Sequence, residues 1–497
     1  MLEYILYGLI QSFTWMNLLA MVVGMAVGLV VGAMPGLSIT MGITLLIPMT
    51  FGMPPATAIL MLVGVYCAGT YAGSISAILI KTPGTAAAAC TVIDGYAMSQ
   101  KGQSKLALNL ALYASVFGGL FSGVTLLLFA PQIAKAALKF GPPEYFMLAV
   151  FGLTIIASVS GKSILKGLIM ASIGLLASTI GIDPIQGVYR LTFGSGILAK
   201  GVSLVPALIG LFAISELFAQ MEKGHHKVSN IAEIKGDKKF GFKDLFKYKA
   251  ILLKSSIIGV IVGAIPGTGA AIASFMSYRE AKRTSKNPEL FGNGSPEGIV
   301  ASESANNGVT GATMIPMMTL GIPGDVITAV LMGALMMQGM SPGPLLFTQQ
   351  GKTVYTIIVG FFIVNIGMLF MGKLAIRAFG NICKIPYSIL LPVVLGFCLV
   401  GSYSCSNSMA DVLIALAFGV IGYILPKFGF PTTPALIALV LGPIAEQALV
   451  QSMVISDGSP TIFFTRPLSL VFFLLAAVSV YYSLKQKHGG KKKVKID

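Results

Sequence analysis

The sequence predicts an all-α polytopic membrane protein of about 10–12 transmembrane helices, with Pro-Gly-broken helices or re-entrant hairpins in two repeats of opposite topology. Three observations carry that prediction. Of 497 residues, 55% are hydrophobic and 10% charged, with mean hydropathy +0.85, whereas a soluble globular chain is about a quarter charged. Apolar runs close to the ~20 residues that cross a bilayer recur throughout, for example at 106–130, 355–372 and 468–484. The 34 Lys and Arg gather between such runs, as they do in cytoplasmic loops under the positive-inside rule.

The charge distribution also removes a rival class. A net charge of +16 would suit a nucleic-acid partner if it formed one patch on a soluble surface. Instead the first 80 residues hold no Lys or Arg, and the basic residues cluster at Lys101/Lys105, Lys162/Lys166, 223–249, 279–286, 373–384, Lys427 and the tail KQKHGGKKKVKID. The expected partner is the lipid bilayer, not nucleic acid. Cys67, Cys90, Cys383, Cys398 and Cys405 lie in or beside apolar segments without a CxxC pair and read as small buried hydrophobes. The first 30 residues lack a basic leader, so the N-terminus reads as retained.

Placing the basic clusters inside orders the elements. Residues 17–53 turn at Pro35-Gly36, and 56–94 is one crossing interrupted at Pro83-Gly84. Then 106–130 crosses outward, 145–160 returns, 163–181 crosses outward and 201–221 returns to the basic loop. In the second half 251–278 turns at Pro266-Gly267, and 298–340 is one crossing interrupted at Pro323-Gly324. Segments 355–372, 390–401, 410–424, 432–450 and 468–484 then alternate, ending in a cytoplasmic tail. Lys135, Lys139 and Arg190 fall on the outer side as exceptions. The chain divides into a first repeat (1–221), a basic cytoplasmic linker (222–249), a second, inverted repeat (250–461) and a final helix with its tail (462–497).

Local sequence supports the repeat. GAMPG at 32–36 pairs with GAIPG at 263–267, and each is followed by a second break, in AILIKTPGTAAAA and in MIPMMTLGIPGDVITAV. Proline removes a backbone donor and glycine accepts unusual dihedrals, so each dipeptide unwinds a helix. Inside a membrane the freed backbone groups need protein partners or a solvated cavity. Four breaks in two matching pairs therefore predict one shared cavity.

Few acids lie deep enough to matter. Asp94, Glu216, Glu303, Asp325, Asp411 and Glu446 border or interrupt apolar segments. A carboxylate at that depth is a functional candidate. For Asp94, Glu216, Asp411 and Glu446 the sequence leaves an interfacial position equally open. The richest polar stretch is PEGIVASESANNGVTGATMIP, in which Glu303, Asn306, Asn307 and Thr310 share about one helical face. Their oxygens suit a small hard cation, possible Na+, with interhelical hydrogen bonding as the alternative. Lys81 precedes a break and reads two ways: it attracts an anion, helped by the dipole of the helix that restarts after Gly84, or it snorkels to headgroups.

At these residues the chain resembles a known family. GAMPGLSITMGITLLIPMTFGM, YAGSISAILIKTPGTAAAACTVIDGYAMSQKG, GLFAISELF, the run from GAIPGTG to TLGIPGD, and FGFPTTPALIALVLGPIAE are similar to the large permease subunit of tripartite tricarboxylate transporters, over about residues 17–466. The resemblance implies a bacterial inner-membrane secondary transporter, with its N-terminus periplasmic. It also implies a small membrane subunit and a periplasmic solute-binding protein as partners. Carboxylates are the implied substrates, with uptake driven by a Na+ or H+ gradient and no cofactor. The absence of GxxxxGK[ST] agrees with that. Lys81 departs from the polar neutral residue, often Asn, that the family places there. Substrate oxygens are expected at the breaks Pro35, Gly36, Pro83, Gly84, Pro266, Gly267, Pro323 and Gly324, with Ser38, Lys81, Thr82, Thr85 and Thr268. The coupling cation is expected at Glu303, Asn306, Asn307, Thr310 and Asp325. A carboxylate-selective anion channel, or a carrier without a binding protein, is the alternative. An enzyme is not expected: the histidines are His225, His226 and His488, all in basic loops, and no HExxH occurs.

Overall fold

The computed structural model describes residues 1–159, 163–183, 187–223, 234, 240–382 and 387–489. Most of the expected linker, with His225 and His226, lies outside the described residues, as do Lys162, Cys383, Lys384 and the tail from 490.

The first half runs α1 (Leu2–Ser12), α2 (Trp15–Ala33), α3 (Ile39–Leu46), α4 (Pro55–Ile80), α5 (Ala89–Gln100), α6 (Ser104–Ala137), α7 (Pro142–Val159), α8 (Ile164–Ser178) and α9 (Leu204–Glu222). A short antiparallel pair, β1 (Gly181–Ile182) with β2 (Tyr189–Arg190), lies between α8 and α9. The second half runs α10 (Lys249–Ala264), α11 (Gly269–Thr284), α12 (Pro296–Leu320), α13 (Val326–Met337), α14 (Gly351–Ile382), α15 (Tyr387–Ser406), α16 (Met409–Lys427), α17 (Thr432–Ile455) and α18 (Pro467–Gly489).

The fold is an all-α polytopic membrane fold. Among the described residues seven helices are long and apolar enough to cross a bilayer: α2, α4, α6, α9, α14, α16 and α17. Further apolar stretches are shorter, including Leu165–Ser178 of α8, Val326–Met337 of α13, Leu390–Ser406 of α15 and Pro467–Tyr481 of α18. The breaks leave α2 and α4 long enough to count, and the other two broken segments supply no counted span.

All four breaks occur where the dipeptides stand. Pro35-Gly36 separates α2 from α3, Pro83-Gly84 separates α4 from α5, Pro266-Gly267 separates α10 from α11, and Pro323-Gly324 separates α12 from α13. The order helix, break, helix therefore occurs twice in each half. Gly36 and Gly267 take positive φ, at 92° and 82°, which a Cβ would oppose.

Two helices form the centre. Every residue of α4 from Thr57 to Leu79 is buried, and so is every residue of α12 from Gly298 to Thr319. Each is packed through glycines by the helix that stands two before it in the chain. Gly24, Gly28 and Gly32 of α2 lie against the backbone of Met61, Val65 and Gly69, while Gly259 and Gly263 of α10 lie against Ala305 and Val309. With no hydrophobic drive between helices in lipid, such close backbone approach supplies the association. α6 closes the centre, with Gly118 against Ser304 and Ser122 against Gly311.

The acids left open by the sequence now have places. Asp94 is buried on α5 and accepts from Tyr278 Oη at 2.8 Å and from the amides of Gly292, Gly294 and Ser295 at 2.8, 2.8 and 2.9 Å. It ties the first half to the loop that starts α12. Glu446 of α17 pairs with Arg190 of β2, so the outer-side exception is neutralised by a partner. Gln220 Nε2 on α9 donates to Glu216 at 2.7 Å and to the Gly36 carbonyl at 2.6 Å, clamping the first break. Asp411 is buried in the first turn of α16, with Oδ2 unpartnered.

Candidate functional site

The helices that restart after the four breaks all begin at one cavity of about 350 Å³. Leu37, Ser38, Ile39 and Thr40 bring the start of α3; Gly84, Thr85, Ala86 and Ala87 lead into α5. Gly269, Ala270 and Ala271 open α11, and Asp325, Val326 and Ile327 open α13. Tyr66 and Thr70 of α4 and Asn306 and Thr310 of α12 complete the wall.

Local chemistry fixes these helix starts. Ser38 caps α3 by accepting from Met41 N at 3.1 Å, as a serine N-cap does. Asp325 caps α13: Oδ1 accepts from Thr328 N at 2.7 Å, and Asp325 N donates to Thr328 Oγ1 at 2.9 Å. Its Oδ2 accepts from Tyr66 Oη at 2.9 Å, and Tyr66 Oη also meets Thr313 Oγ1 at 3.0 Å. Asn306 Nδ2 donates to the Thr70 carbonyl at 3.3 Å, which leaves Oδ1 buried and without a partner.

Each helix start carries roughly half a positive charge from the backbone dipole. Four of them face one space, and among the described residues no Lys or Arg lines it. The walls therefore offer oriented amides to an anion and, at Asp325 and Asn306, oxygens to a cation.

The expected site residues separate into four groups. Ser38, Gly84, Thr85, Asn306, Thr310 and Asp325 line the cavity. The other break residues shape it without lining it. Gly84 N donates to the Gly73 carbonyl at 3.3 Å and Gly267 N to the Gly324 carbonyl at 2.7 Å. Those two amides, expected to hold substrate oxygens, instead close the backbone, because an unwound buried donor must be satisfied. Pro35, Pro83, Pro266 and Pro323 stand beside them, and Thr268 Oγ1 turns back to the carbonyls of Val262 and Ile265. Glu303 and Asn307 form the third group, buried away from the cavity. Thr91 and Ser115 donate to the Glu303 carboxylate, Ser115 at 2.9 Å.

Lys81 and Thr82 are exposed and do not line the cavity. Lys81 caps α4 in the left-handed conformation, φ 58° and ψ 16°, with Nζ 5.5 Å from the Tyr96 ring centroid. Gly321 holds the matching position after α12, with φ 70°. Asn and Gly tolerate that conformation and lysine does so at a cost. Lys81→Gly is therefore expected to raise stability by up to about 1 kcal/mol, read as a higher Tm of the purified protein. Uptake affinity should stay unchanged; a marked loss would return Lys81 to the anion site.

Tyr66, Thr70, Thr40 and the α11 start were not foreseen. A signal existed for two of them: Tyr66 and Thr70 are four apart in a predominantly apolar span, hence on one face.

Residues 18–437 match the family model described as tripartite tricarboxylate transporter TctA family. The chain belongs to this family. Two similar proteins come from Agrobacterium vitis. The "uncharacterized 52.8 kDa protein in TAR-I ttuC' 3'region" is 36% identical over 446 residues, covering 88% of each chain. The "uncharacterized protein in TAR-II ttuC' 3'region" is 37% identical over 226 residues, covering 46% of this chain and 93% of that protein. As a TctA family member the chain is a membrane transport permease. The TctA match begins one residue into the expected start of the resemblance and spans all four breaks. Among the described residues no group of three or more His, Cys, Asp or Glu could hold a metal ion.

Proposed function

We propose that this chain is the large permease subunit of a binding-protein-dependent secondary transporter that imports carboxylates on a sodium or proton gradient. One observation carries the reading: four helix starts converge on a cavity that lacks basic side chains. Amides at helix starts bind carboxylates without a lysine. A volume of about 350 Å³ suits a small organic acid.

The amides and hydroxyls around Ser38, Thr40, Thr85 and Gly269–Ala271 hold the carboxylate oxygens, and Asn306, Thr310 and Asp325 hold the coupling cation. The breaks Pro35-Gly36, Pro83-Gly84, Pro266-Gly267 and Pro323-Gly324 set the positions of those groups. The recurrence of helix, break, helix supports two repeats of inverted topology, completing ten to twelve crossings when the shorter and broken helices are included. Movement of one repeat bundle against the other exposes the cavity alternately. A periplasmic binding protein delivers substrate, and a small membrane subunit completes the complex in the inner membrane. The N-terminus is periplasmic and the C-terminus cytoplasmic.

Proteoliposomes holding permease, small subunit and binding protein test this with radiolabelled citrate, dicarboxylates and aromatic acids under separate sodium and proton gradients. One acid should accumulate against its gradient with one of the two ions. Equilibration indifferent to both ions would overturn the coupled mechanism in favour of a channel.

A further inference from the structure

Helices α10 and α11 are two-sided. Small residues fill their buried sides, Ser255, Gly259 and Gly263 on α10 and Ala273, Ser277 and Ala281 on α11. The opposite sides are apolar and exposed: Ile257, Ile261 and Ile265 on α10, with Ile272, Phe275 and Met276 on α11. Bulk lipid covers any apolar face in a membrane. What sets this face apart is where it ends. Ile257, Ile258 and Met276 run into a groove of about 810 Å³ that Lys254, Arg279, Lys282 and Arg283 surround, with Glu280 among them.

One acid therefore stands against four bases, and it is already engaged. Lys254 Nζ of α10 pairs with Glu280 Oε1. Arg283 takes both oxygens of the same carboxylate, Nε to Oε2 at 2.7 Å and Nη2 to Oε1 at 2.8 Å. A bidentate pair of this kind fixes the guanidinium. Arg279 and Lys282 make no ion pair among the described residues. The positive-inside rule explains a basic helix end. It asks for neither a groove nor an acid that orients two of the bases and leaves two unmatched.

We propose that this groove binds one anionic phospholipid, its phosphate between Arg279 and Lys282 and its acyl chains along Ile257, Ile261 and Met276. Basic pockets between membrane helices hold anionic headgroups, and the apolar strip leading away from the bases selects a lipid over a free phosphate. The leaflet is the cytoplasmic one under the topology proposed above. At its other end α11 begins with Gly269, Ala270 and Ala271, which line the central cavity. A lipid held in the groove thus braces a helix that opens that cavity. This consequence rests on the transport reading; the lipid site itself does not.

The test places purified full-length Trp15→Phe/Ile261→Trp protein in bilayers of phosphatidylcholine and phosphatidylglycerol, with one lipid or the other brominated. Trp15 is the one native tryptophan, so quenching reports the lipid at position 261. Brominated phosphatidylglycerol should quench at about a tenth of the mole fraction that brominated phosphatidylcholine needs. Adding Arg279→Gln and Lys282→Gln should bring the two lipids within about twofold of each other. Salt at ~1 M should weaken the preference without those changes, which covers their failing to fold. Val420→Trp in place of Ile261→Trp, on the exposed side of α16, should show no preference. Equal quenching by both lipids at position 261 overturns the proposal, as does a preference that Val420→Trp shares or that the two Gln changes leave untouched. Displacement of the lipid by free glycerol phosphate would make this a headgroup site alone and overturn the lipid assignment. Loss of quenching by both lipids when the small membrane subunit is added would make the face a protein interface, and would overturn it equally. Uptake is not the readout, so the site and the transport reading can fail separately.

Discussion

Gly84→Ala is expected to abolish uptake and to lower stability by several kcal/mol. The added methyl would overlap the Gly32 carbonyl oxygen and stand 2.9 Å from Gly73 Cα. Both are backbone atoms in the tightly packed pair α2 and α4, so neither can turn aside as a side chain would. Overpacking typically costs about 1–3 kcal/mol, and more where backbone must shift. The displacement would also move Thr85 and Ala86, which line the cavity. Gly396→Ala is the control: it lies in α15 with nothing within 4 Å of the new methyl, and helix propensity favours it by about 1 kcal/mol. Thermal melts and uptake by both variants should part sharply. Wild-type Tm and uptake in Gly84→Ala would mean that the break is looser than its contacts imply.

The second large effect is at Asp325. Asp325→Ala removes the α13 cap, worth about 1 kcal/mol, and takes from Tyr66 Oη its carboxylate acceptor, adding about 1–3 kcal/mol. Uptake should fall at least ~100-fold, equivalent to about 2.8 kcal/mol. Asp325→Asn separates structure from charge, because Asn caps a helix about as well as Asp. It should restore most of the stability while leaving uptake impaired and its dependence on the cation gradient altered. Unchanged cation dependence in Asp325→Asn would confine this residue to capping.

Much of this arrangement was legible because Pro and Gly act locally. Each of the four dipeptides breaks a helix by its own covalent geometry, whatever surrounds it, and the pairing of GAMPG with GAIPG foretold that the breaks belong together. What could not be read was which group at each break faces the cavity. Gly84 and Gly267 spend their amides on Gly73 and Gly324, partners set by how the chain folds back. Nor could the place of Glu303 off the cavity be read, because its hydroxyl donors come from α5 and α6, about 190 to 210 residues away in sequence. Lys81 is the reverse case. The departure from a polar neutral residue was visible at once, and the positive φ explains why neutral Asn or Gly suits the position.

The absence of basic side chains from the cavity wall among the described residues has an electrical consequence. A carrier that neutralises its substrate with its own lysines returns empty with that charge still in place. On the proposed reading helix-start dipoles hold the substrate here, and the one acidic or basic side chain lining the cavity among the described residues is that of Asp325. The return of the empty carrier then moves no basic charge of the wall, and the charge moved over the full cycle is the sum over substrate and accompanying ions. An acid of two negative charges entering with two cations draws no current. Each cation beyond that number draws about 2.3 kcal/mol from every 100 mV of membrane potential, so a current recorded during uptake counts the ions directly.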